Sequence, residues 1–347
     1  MELSRIFHNK ILKRIYPYIR VNKIIEPKKD NTKRLYLFGV PEHLNYGDIA
    51  IFVAEMKFLK ENLSDFEIIT IPERLVIQQI PIVKSVIKSN DIIALHGGGN
   101  MGDIWPFPDK VRQSVIRNFG DNYHLVSFPQ SISYSNKSWI IEMNKLLENC
   151  IDISIFARDN RSFEIMKNEF PSNVKVFLVP DIVMDINIEN NITKKKEVLF
   201  LMRRDKEKLN NNYYKKIKKN ITENYKYKMS DTVGDIWYPI NRRSAPKRLN
   251  NKLEEIQKAR LVVTDRLHGM IFSYVTKTPV IVFDNNNHKI KNFYNTWFNG
   301  KDSSIFFLNN NEDLSKAIDF ARNAMNQKIK VKSLDLDYSI LVRELSV

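Results

Sequence analysis

Short apolar runs alternate with amphipathic stretches along most of the chain from Arg34 onward. Apolar runs bounded by turn residues are typical of buried strands, and apolar positions spaced three and four apart indicate helices that cover a sheet. The first series predicts strands at 35–38, 67–71, 91–95, 124–128, 151–157 and 174–179, with helices at 49–63, 82–88, 108–119, 139–148 and 161–170. This alternation predicts an α/β fold with a mostly parallel sheet and helices on both faces.

A polar segment at 187–196 interrupts the pattern, and a second α/β series follows it. That series predicts strands at 198–202, 261–263, 280–283 and 305–308 and helices at 270–275 and 313–325. The segment 231–247 is irregular and is either a substrate loop or a simple connection. We therefore predict two Rossmann-like domains facing a cleft. The predicted divisions are an N-terminal segment at 1–33, domains at 34–190 and 197–330, and a C-terminal tail at 331–347.

The segment 1–33 combines a basic face with an apolar face. Ile11, Ile15 and Ile19 recur at helical spacing among lysines and arginines. A helix of this kind either packs on the body of the protein or lies on an anionic membrane surface. The pattern leaves both alternatives open.

Composition and charge narrow the class of protein. The 347 residues carry a formal net charge of +15, which favours anionic partners such as phosphorylated substrates or membrane surfaces. No helix-turn-helix, zinc-finger spacing or aromatic-basic strand occurs, so nucleic acid is the least favoured partner. Cys150 is the one cysteine, which excludes an internal disulfide framework, and no apolar run reaches the ~18 residues of a membrane span. We expect a cytoplasmic protein, either free or peripheral at the inner face of the plasma membrane.

The stretch 261–283, LVVTDRLHGMIFSYVTKTPVIVF, is a predicted strand–turn–helix–strand unit. Its turn places Asp265, Arg266 and His268 at the head of a helix, where backbone N–H groups and the positive helix end favour negative charge. Such a turn suits an anion such as a phosphate or a carboxylate. In the alternative interpretation Arg266 pairs with Asp265 and His268 only caps the helix.

A glycine-rich loop, HGGGNMGD at 96–103, follows directly after a buried predicted strand. Glycines let backbone N–H groups approach a ligand closely, so the loop is predicted to bind one. It matches G-x-G-x-x-G formally, but it does not open straight into a helix and no acidic residue ends the next strand. A dinucleotide is therefore not predicted, and the absence of GK[ST] excludes a P-loop.

Polar side chains follow several other predicted strands. Asn45 and Asp48 lie where the first strand leads into its helix, and Asp48 is either a helix cap or a functional carboxylate. The carboxyl ends of parallel strands meet at one edge of a sheet, so their recurrence predicts a site in a cleft. The others are Gln130, Arg158, Asp181 and Arg203.

Metal and hydrolase chemistry have little support. The histidines lie far apart, with no H-x-x-x-H spacing and no cysteine pair, so no metal site is predicted, although Asp48, Asp103 and Asp265 could gather around a divalent ion. No G-x-S-x-G occurs, which argues against a serine hydrolase. We also predict no cofactor.

Seven motifs occur in a fixed order between about residues 35 and 300: GVPEHLNYGDIAI, LHGGGNMGD, FPQS, ARD, VPDIV, MRRDKE and TDRLHGM. Together they resemble the polysaccharide pyruvyl transferase family, which often has serine where this chain has Thr264. The resemblance implies a GT-B-like fold. It also implies transfer of a pyruvyl group from phosphoenolpyruvate onto sugar hydroxyls, usually as a cyclic ketal, in exopolysaccharide, capsule or cell-wall polymer biosynthesis.

The resemblance maps the residues that hold phosphoenolpyruvate onto Arg158, Arg266, Leu267 and His268. Phosphoenolpyruvate has a carboxylate and a phosphate and needs at least two cationic contacts, for which Arg203 is a further candidate. We expect additional substrate contacts from the loops that the motifs share: Asn45, Gly98, Gly99, Asn100 and Gln130.

Ketal formation requires a proton on the methylene carbon and removal of hydroxyl protons. His268 is the candidate general acid, because histidine exchanges protons readily near neutral pH. Asp48 or Asp103 is the candidate base. The expected partners are phosphoenolpyruvate and a sugar or lipid-linked oligosaccharide acceptor, with an anionic membrane surface as an open alternative.

Two other functions remain as alternatives. A GT-B-type glycosyltransferase that uses a nucleotide sugar would share the two-domain layout and an anion site in the second domain. A non-catalytic protein of an envelope assembly would keep the cleft without turnover, but the intact Arg266, His268 and glycine triplet argue against such decay.

Overall fold

The computed structural model describes residues 25, 32–189, 197–203, 212–234, 242–327 and 329–346. Within these residues the strands form two parallel sheets covered by helices, which confirms the predicted α/β class with two Rossmann-like units. We use "first domain" for residues 33–189 and "second domain" for residues 197–327. The predicted amphipathic helix near the N-terminus and its membrane alternative lie outside the described residues.

The first domain contains a seven-stranded sheet in the order β2-β1-β3-β5-β6-β7, with β4 paired to β5. Every one of these pairs is parallel. Its elements are β1 (Lys33–Val40), α1 (Tyr46–Asn62), β2 (Phe66–Pro72), α2 (Val76–Val86), β3 (Ile92–Leu95), β4 (Gly98–Met101), α3 (Pro106–Phe119), β5 (His124–Ile132), α4 (Lys137–Leu147), β6 (Asp152–Ala157), α5 (Asn160–Glu169) and β7 (Val174–Leu178).

The second domain contains a five-stranded parallel sheet in the order β12-β11-β10-β8-β9. A C-terminal helix returns to the first domain. The elements are β8 (Glu197–Leu201), α6 (Asn212–Asn224), β9 (Lys226–Ser230), α7 (Ala245–Lys258), β10 (Leu261–Thr264), α8 (Leu267–Val275), β11 (Val280–Phe283), α9 (Lys289–Trp297), β12 (Ile305–Leu308), α10 (Leu314–Asn326) and α11 (Ser339–Leu345).

Helix α1 joins the two domains because it is apolar on almost every side. Ile49, Ala50 and Leu59 are fully buried, and their cluster continues into Leu199 of β8 and Met270 of α8. A helix that is hydrophobic all round needs cover on all sides, and the two sheets provide it. This packing directs the first turn of α1 toward the carboxyl edges of both sheets.

Helix α2 and the glycine-rich loop differ from the elements that the sequence predicted. Helix α2 begins at Val76 and contains Pro81, whereas the sequence predicted a helix at 82–88. Burial of Val76, Ile80 and Val83 outweighs the backbone hydrogen bond that proline cannot donate. The glycine-rich loop at 96–103 is partly a strand, because β5 is long enough to pair with Gly98–Met101.

The segment 331–347, predicted as a tail, contains helix α11. The Ser154 hydroxyl donates to Glu344 Oε2 at 2.8 Å, and the Tyr338 hydroxyl donates to the Asp181 carbonyl at 2.9 Å. The end of the chain therefore packs against the first domain. In the irregular segment 231–247, residues 235–241 lie outside the described part, and the helix that follows begins at Ala245.

Candidate active site

The carboxyl edges of the two sheets meet through direct hydrogen bonds. The Tyr46 amide donates to the Thr232 carbonyl at 2.8 Å, and Lys289 Nζ donates to the Gly99 carbonyl at 2.6 Å. Trp297 Nε1 donates to the Arg158 carbonyl at 2.8 Å. These contacts bring the predicted motifs of both domains to one place, as expected of parallel strands that face a common cleft.

Arg158 lies at the end of β6 and is almost fully buried, with 2% of its surface exposed. Its Nε donates to the Ser131 hydroxyl at 2.8 Å and its Nη1 donates to Asp181 Oδ2 at 2.6 Å. Burial alone would raise the pKa of Asp181, but contact with His268 and the charge of Arg158 outweigh burial and hold that pKa well below its ordinary value. Asp181 is therefore a carboxylate under working conditions.

His268 lies in the first turn of α8, which begins at Leu267 instead of at the predicted residue 270. Its Nε2 is 3.6 Å from Asp181 Oδ2, an ion-pair distance. On the other side of the ring, a Cβ on Gly47 would overlap His268 Nδ1. Glycine at this position lets the second domain insert His268 between the head of α1 and Asp181. Leu267 is partly buried against the apolar core.

Gly99 brings two cations together. A Cβ on Gly99 would lie 2.6 Å from Arg158 Nη2 and 3.5 Å from Lys289 Nζ. The sequence analysis missed Lys289, which comes from the second domain two residues after the asparagine run 285–287. The sequence shows a lysine shortly after a predicted strand, but it does not show that this lysine contacts Gly99, 190 positions away.

Arg266 makes a two-point ion pair with Asp231, with Nε to Oδ1 at 2.9 Å and Nη2 to Oδ2 at 3.0 Å. The alternative interpretation, in which Arg266 pairs with Asp265, named the wrong carboxylate. Asp265 Oδ1 instead accepts a hydrogen bond from the Arg203 amide at 2.8 Å. Burial raises the pKa of Asp265 to about 6, despite the neighbouring positive charges. Arg203 is 8% exposed beside it.

Asp48 lies at the head of α1 within reach of the site. Asn45 caps the helix by accepting a hydrogen bond from the Gly47 amide at 3.0 Å, so Asp48 is not the cap. Asp48 Oδ2 instead contacts His43 Nε2 at 2.8 Å. Burial would raise the pKa of Asp48, but this contact and the charges of His43, His96 and His268 lower it. Gly98, with a φ of 128°, comes close to the same carboxylate.

Asp103 lies in a different environment from Asp48. Its carboxylate accepts hydrogen bonds from the Ser135 amide, the Ser135 hydroxyl and the Asn136 amide at 2.8–2.9 Å. It therefore fastens the turn before α4. These backbone and hydroxyl contacts outweigh burial and lower the pKa of Asp103. The geometry favours a structural role for Asp103 over the predicted role as a base.

Asn100 and Gln130 make hydrogen bonds around the glycine-rich segment. Asn100 Oδ1 accepts from Arg112 Nη2 at 2.8 Å, and Gln130 Nε2 donates to the His96 carbonyl at 2.5 Å. Gln130 is fully buried. Direct contact of these two side chains with a substrate stays a prediction, whereas their hydrogen bonds around the glycine-rich segment are present in the structure.

A buried His–Glu pair was missed by the sequence analysis. His96 Nδ1 lies 2.6 Å from Glu55 Oε2, and Glu55 Oε1 accepts from the Gly97 amide at 2.7 Å. The signal was present, since Glu55 is an acidic residue inside the apolar run IAIFVAEMKFL. A fully buried carboxylate in such a helix requires partners of this kind.

Within the described ranges, no group of three or more histidine, cysteine, aspartate or glutamate side chains is arranged to hold a metal ion. Among the helices that the structure describes, none is long and apolar enough to cross a membrane. Cys150 is buried, as expected for a structural thiol.

Comparisons with known proteins identify the family and the fold. The family model for polysaccharide pyruvyl transferases matches residues 45–287. General stress protein 30 of Bacillus subtilis is 32% identical, covering 92% of this chain and 93% of that protein. Pyruvyl transferase 1 of Schizosaccharomyces pombe is 31% identical, covering 77% of this chain and 70% of that protein.

A solved structure supports the fold alone. A Listeria monocytogenes protein described as a candidate UDP-N-acetylglucosamine 2-epimerase superposes with a TM-score of 0.52 at 11% identity. The alignment covers 87% of this chain and 92% of that protein. The architecture is thus the GT-B-like arrangement that the sequence predicted.

Proposed function

The chain belongs to the polysaccharide pyruvyl transferase family, and on that premise we propose that it transfers a pyruvyl group from phosphoenolpyruvate to hydroxyl groups of a sugar. The product is a ketal on a sugar or a lipid-linked oligosaccharide that becomes part of an exopolysaccharide, capsule or cell-wall polymer. The protein acts at the inner face of the plasma membrane or in the cytoplasm and uses no cofactor.

The observation that carries this proposal is the Asp181 carboxylate between Arg158 and His268. Arg158 Nη1 and His268 Nε2 lie 2.6 and 3.6 Å from the same Asp181 oxygen. At the far end of the same guanidinium, Lys289 contacts Gly99. A cation pair and an imidazole held together in this way suit a small molecule that carries a phosphate, a carboxylate and a carbon to be protonated.

The roles follow from this geometry. Arg158 and Lys289 bind the anionic groups of phosphoenolpyruvate, and Asp181 keeps Arg158 and His268 oriented. Protonated His268 delivers a proton to the methylene carbon, which makes C2 electrophilic. Arg266 takes part after exchanging some of its contact with Asp231 for the substrate. Arg203 and Leu267 line the second-domain side.

The donor can be tested by thermal unfolding with phosphoenolpyruvate, UDP-glucose, GDP-mannose and NAD. At 100 times its dissociation constant, phosphoenolpyruvate is expected to stabilise the protein by ~2.7 kcal/mol, and the other ligands are expected to have no effect. Arg158→Gln should abolish the shift, because it removes a buried cation. Arg322→Gln is the control, since Arg322 pairs with Asp319 on an exposed helix surface.

Either of two outcomes would contradict the proposal. Stabilisation by a nucleotide sugar and none by phosphoenolpyruvate would assign the protein to the glycosyltransferases. Stabilisation by phosphoenolpyruvate that survives in Arg158→Gln would place the donor elsewhere in the molecule.

A further inference from the structure

One edge of the second sheet is strongly basic. Strand β9 is the outermost strand there, and helix α6 precedes it along the chain. Residues 212–230, which contain both elements, include six lysines and one acidic residue, Glu223. They therefore carry a net charge of +5, a third of the net charge of +15 on the whole chain. We call residues 212–230 the basic edge.

The lysines of α6 are directed toward solvent. Lys215, Lys216 and Lys219 are exposed, whereas Ile217 and Ile221 are buried against the sheet. Residues three and four positions apart share one face of a helix, so this spacing separates a basic outer face from an apolar inner face. The outer face of α6 is thus a compact patch of positive charge.

Little of this charge is neutralised by neighbouring carboxylates. Within the described part of the chain, the ion pairs of the basic edge are Lys219 with Glu223 at 4.0 Å and Lys228 with Glu255 at 2.5 Å. The first of these pairs is weak, because Lys219 is 78% exposed and the two charges are screened by water. The patch therefore presents its positive charge to whatever approaches it.

Two large side chains of β9 are exposed beside the lysines. Tyr227 is 48% exposed and Met229 is 41% exposed. The rings of Tyr214 in α6 and Tyr227 in β9 both pack against Phe200, with centroids 6.4 and 6.0 Å from it, so the helix and the strand share one face of the sheet. Tyrosine is enriched at membrane–water interfaces, and exposed apolar side chains on a basic surface suit the same environment.

An anionic lipid surface fits the basic edge better than a nucleic acid does. Lysine is a compact, strongly hydrated point charge that suits a layer of lipid headgroups, whereas the recognition of nucleic acid depends heavily on the planar fork of arginine. Residues 212–230 contain no arginine. The exposed Met229 also has a favourable place at the boundary of the acyl chains, and it has no such place on a phosphate backbone.

We propose that the basic edge docks the protein on an anionic membrane surface, with the α6 lysines over the lipid headgroups and with Tyr227 and Met229 at the interface. Strand β9 ends at Ser230, and the next residue, Asp231, binds Arg266 of the candidate active site. Docking therefore holds the site near the membrane, where a lipid-linked acceptor is located. The binding to lipid does not itself require the proposed function.

Co-sedimentation with vesicles measures the docking. Wild-type protein should bind vesicles of phosphatidylglycerol and phosphatidylcholine, should not bind phosphatidylcholine alone, and should dissociate as the salt concentration rises from about 0.05 to 0.5 M. The triple variant Lys215→Gln, Lys216→Gln, Lys219→Gln should bind the anionic vesicles roughly 100-fold more weakly, because each lysine near such a surface contributes about fivefold to the affinity.

Three lysines of the first domain provide a matched control. Lys84 on α2 and Lys137 and Lys145 on α4 are also exposed, and their replacement by glutamine removes the same total charge. This control should keep vesicle binding within about threefold of wild type. Equal losses in the two triple variants would overturn the proposal, because net charge alone would then govern binding. It would equally be overturned if the basic-edge variant bound as wild type does, or if wild type ignored anionic vesicles.

A fluorescent label tests the contact of β9 itself. Cys150 is buried and is the one cysteine of the chain, so Met229→Cys supplies a single accessible thiol. A polarity-sensitive dye on this thiol should shift to shorter wavelength when anionic vesicles are added. The same dye on Ile141→Cys, an exposed position of α4 in the first domain, should not shift. Vesicle binding without a shift at position 229 would overturn the placement of β9 at the interface.

Two further measurements separate this proposal from its alternatives. Tighter binding to an RNA or DNA oligonucleotide than to anionic vesicles at the same salt concentration would assign the basic edge to nucleic acid and overturn the membrane partner. Thermal stabilisation by phosphoenolpyruvate should be the same in wild type and in the basic-edge triple variant, because none of the three lysines is a proposed donor contact. Its absence in wild type would contradict the proposed function and leave the vesicle result standing.

Discussion

The two sheet edges that meet in the site differ in how their charged groups are paired. At the first edge the groups share partners, since Asp181 contacts both Arg158 and His268. At the second edge Arg266 instead makes a two-point ion pair with Asp231. Under the proposed function, the reacting groups are assembled at the first edge, and the second domain contributes His268 and Lys289 to it.

The largest effect on kcat is expected when the His268 imidazole, which the second domain contributes, is removed. His268→Ala should lower kcat by roughly 10²–10⁴-fold, because the proton donor to the methylene carbon is lost. Stabilisation by phosphoenolpyruvate should persist, since Arg158 and Lys289 remain. Steady-state phosphate release and thermal unfolding measure the two effects. A variant with normal kcat and weaker donor binding would show that His268 only binds.

A smaller change can displace the same imidazole without removing it. Gly47→Ala places a methyl group against His268 Nδ1, so the ring must move. A displacement of about 1 Å is expected to lower kcat by up to roughly 10²-fold. Phosphate-release assays measure the loss, and the temperature of unfolding should change little, because alanine favours the helix that Gly47 helps to begin.

Gly300→Ala is the control for that experiment. Gly300 has a φ of 71° and open space around it, so the substitution strains the backbone without touching the site. It should lower stability and leave kcat unchanged. If Gly47→Ala behaved in the same way, the close approach of His268 to α1 would have no bearing on catalysis.

The smallest expected effect is a change in the pH dependence of stability, and it involves only the second edge. Burial raises the pKa of Asp265 to about 6, against about 3.9 in an unfolded chain. A carboxyl group with a raised folded pKa favours the folded state below pH 4, and that contribution is lost as pH rises through 6. Asp265→Asn keeps an oxygen that can accept from the Arg203 amide, but its side chain cannot ionise. The variant should therefore not show this loss in the free energy of unfolding, which is on the order of 2–3 kcal/mol between pH 4 and 7.

Urea unfolding of both proteins across this pH range measures the difference. Phosphate release by Asp265→Asn should stay close to wild type, because the first edge is untouched. A large loss of kcat would show that the two edges share one charge network after all.

The sequence predicted the fold well because local patterns determine its elements. Strands such as Leu261–Thr264 and Val280–Phe283 are buried on both faces and therefore appear as unbroken apolar runs. The boundaries that failed involve competition with long-range packing. Pro81 lies inside a helix because of what that helix buries, and the glycine-rich segment becomes a strand because β5 extends beside it.

The site was predictable to the extent that its residues follow strands. Arg158, Arg266 and His268 could be named because each lies at the end of a strand within a recognisable motif. Their partners could not, since Asp231 is 35 positions from Arg266 and Lys289 is 190 positions from Gly99. Only the folded chain shows which charges are neutralised and which remain available to a substrate.

The path of the chain links its last helix to its first sheet. After the second sheet has been built, the polypeptide returns to the first domain at α11, where Tyr338 donates to the Asp181 carbonyl and Glu344 accepts from the Ser154 hydroxyl. The first domain can therefore make these contacts only after the second domain has been synthesised.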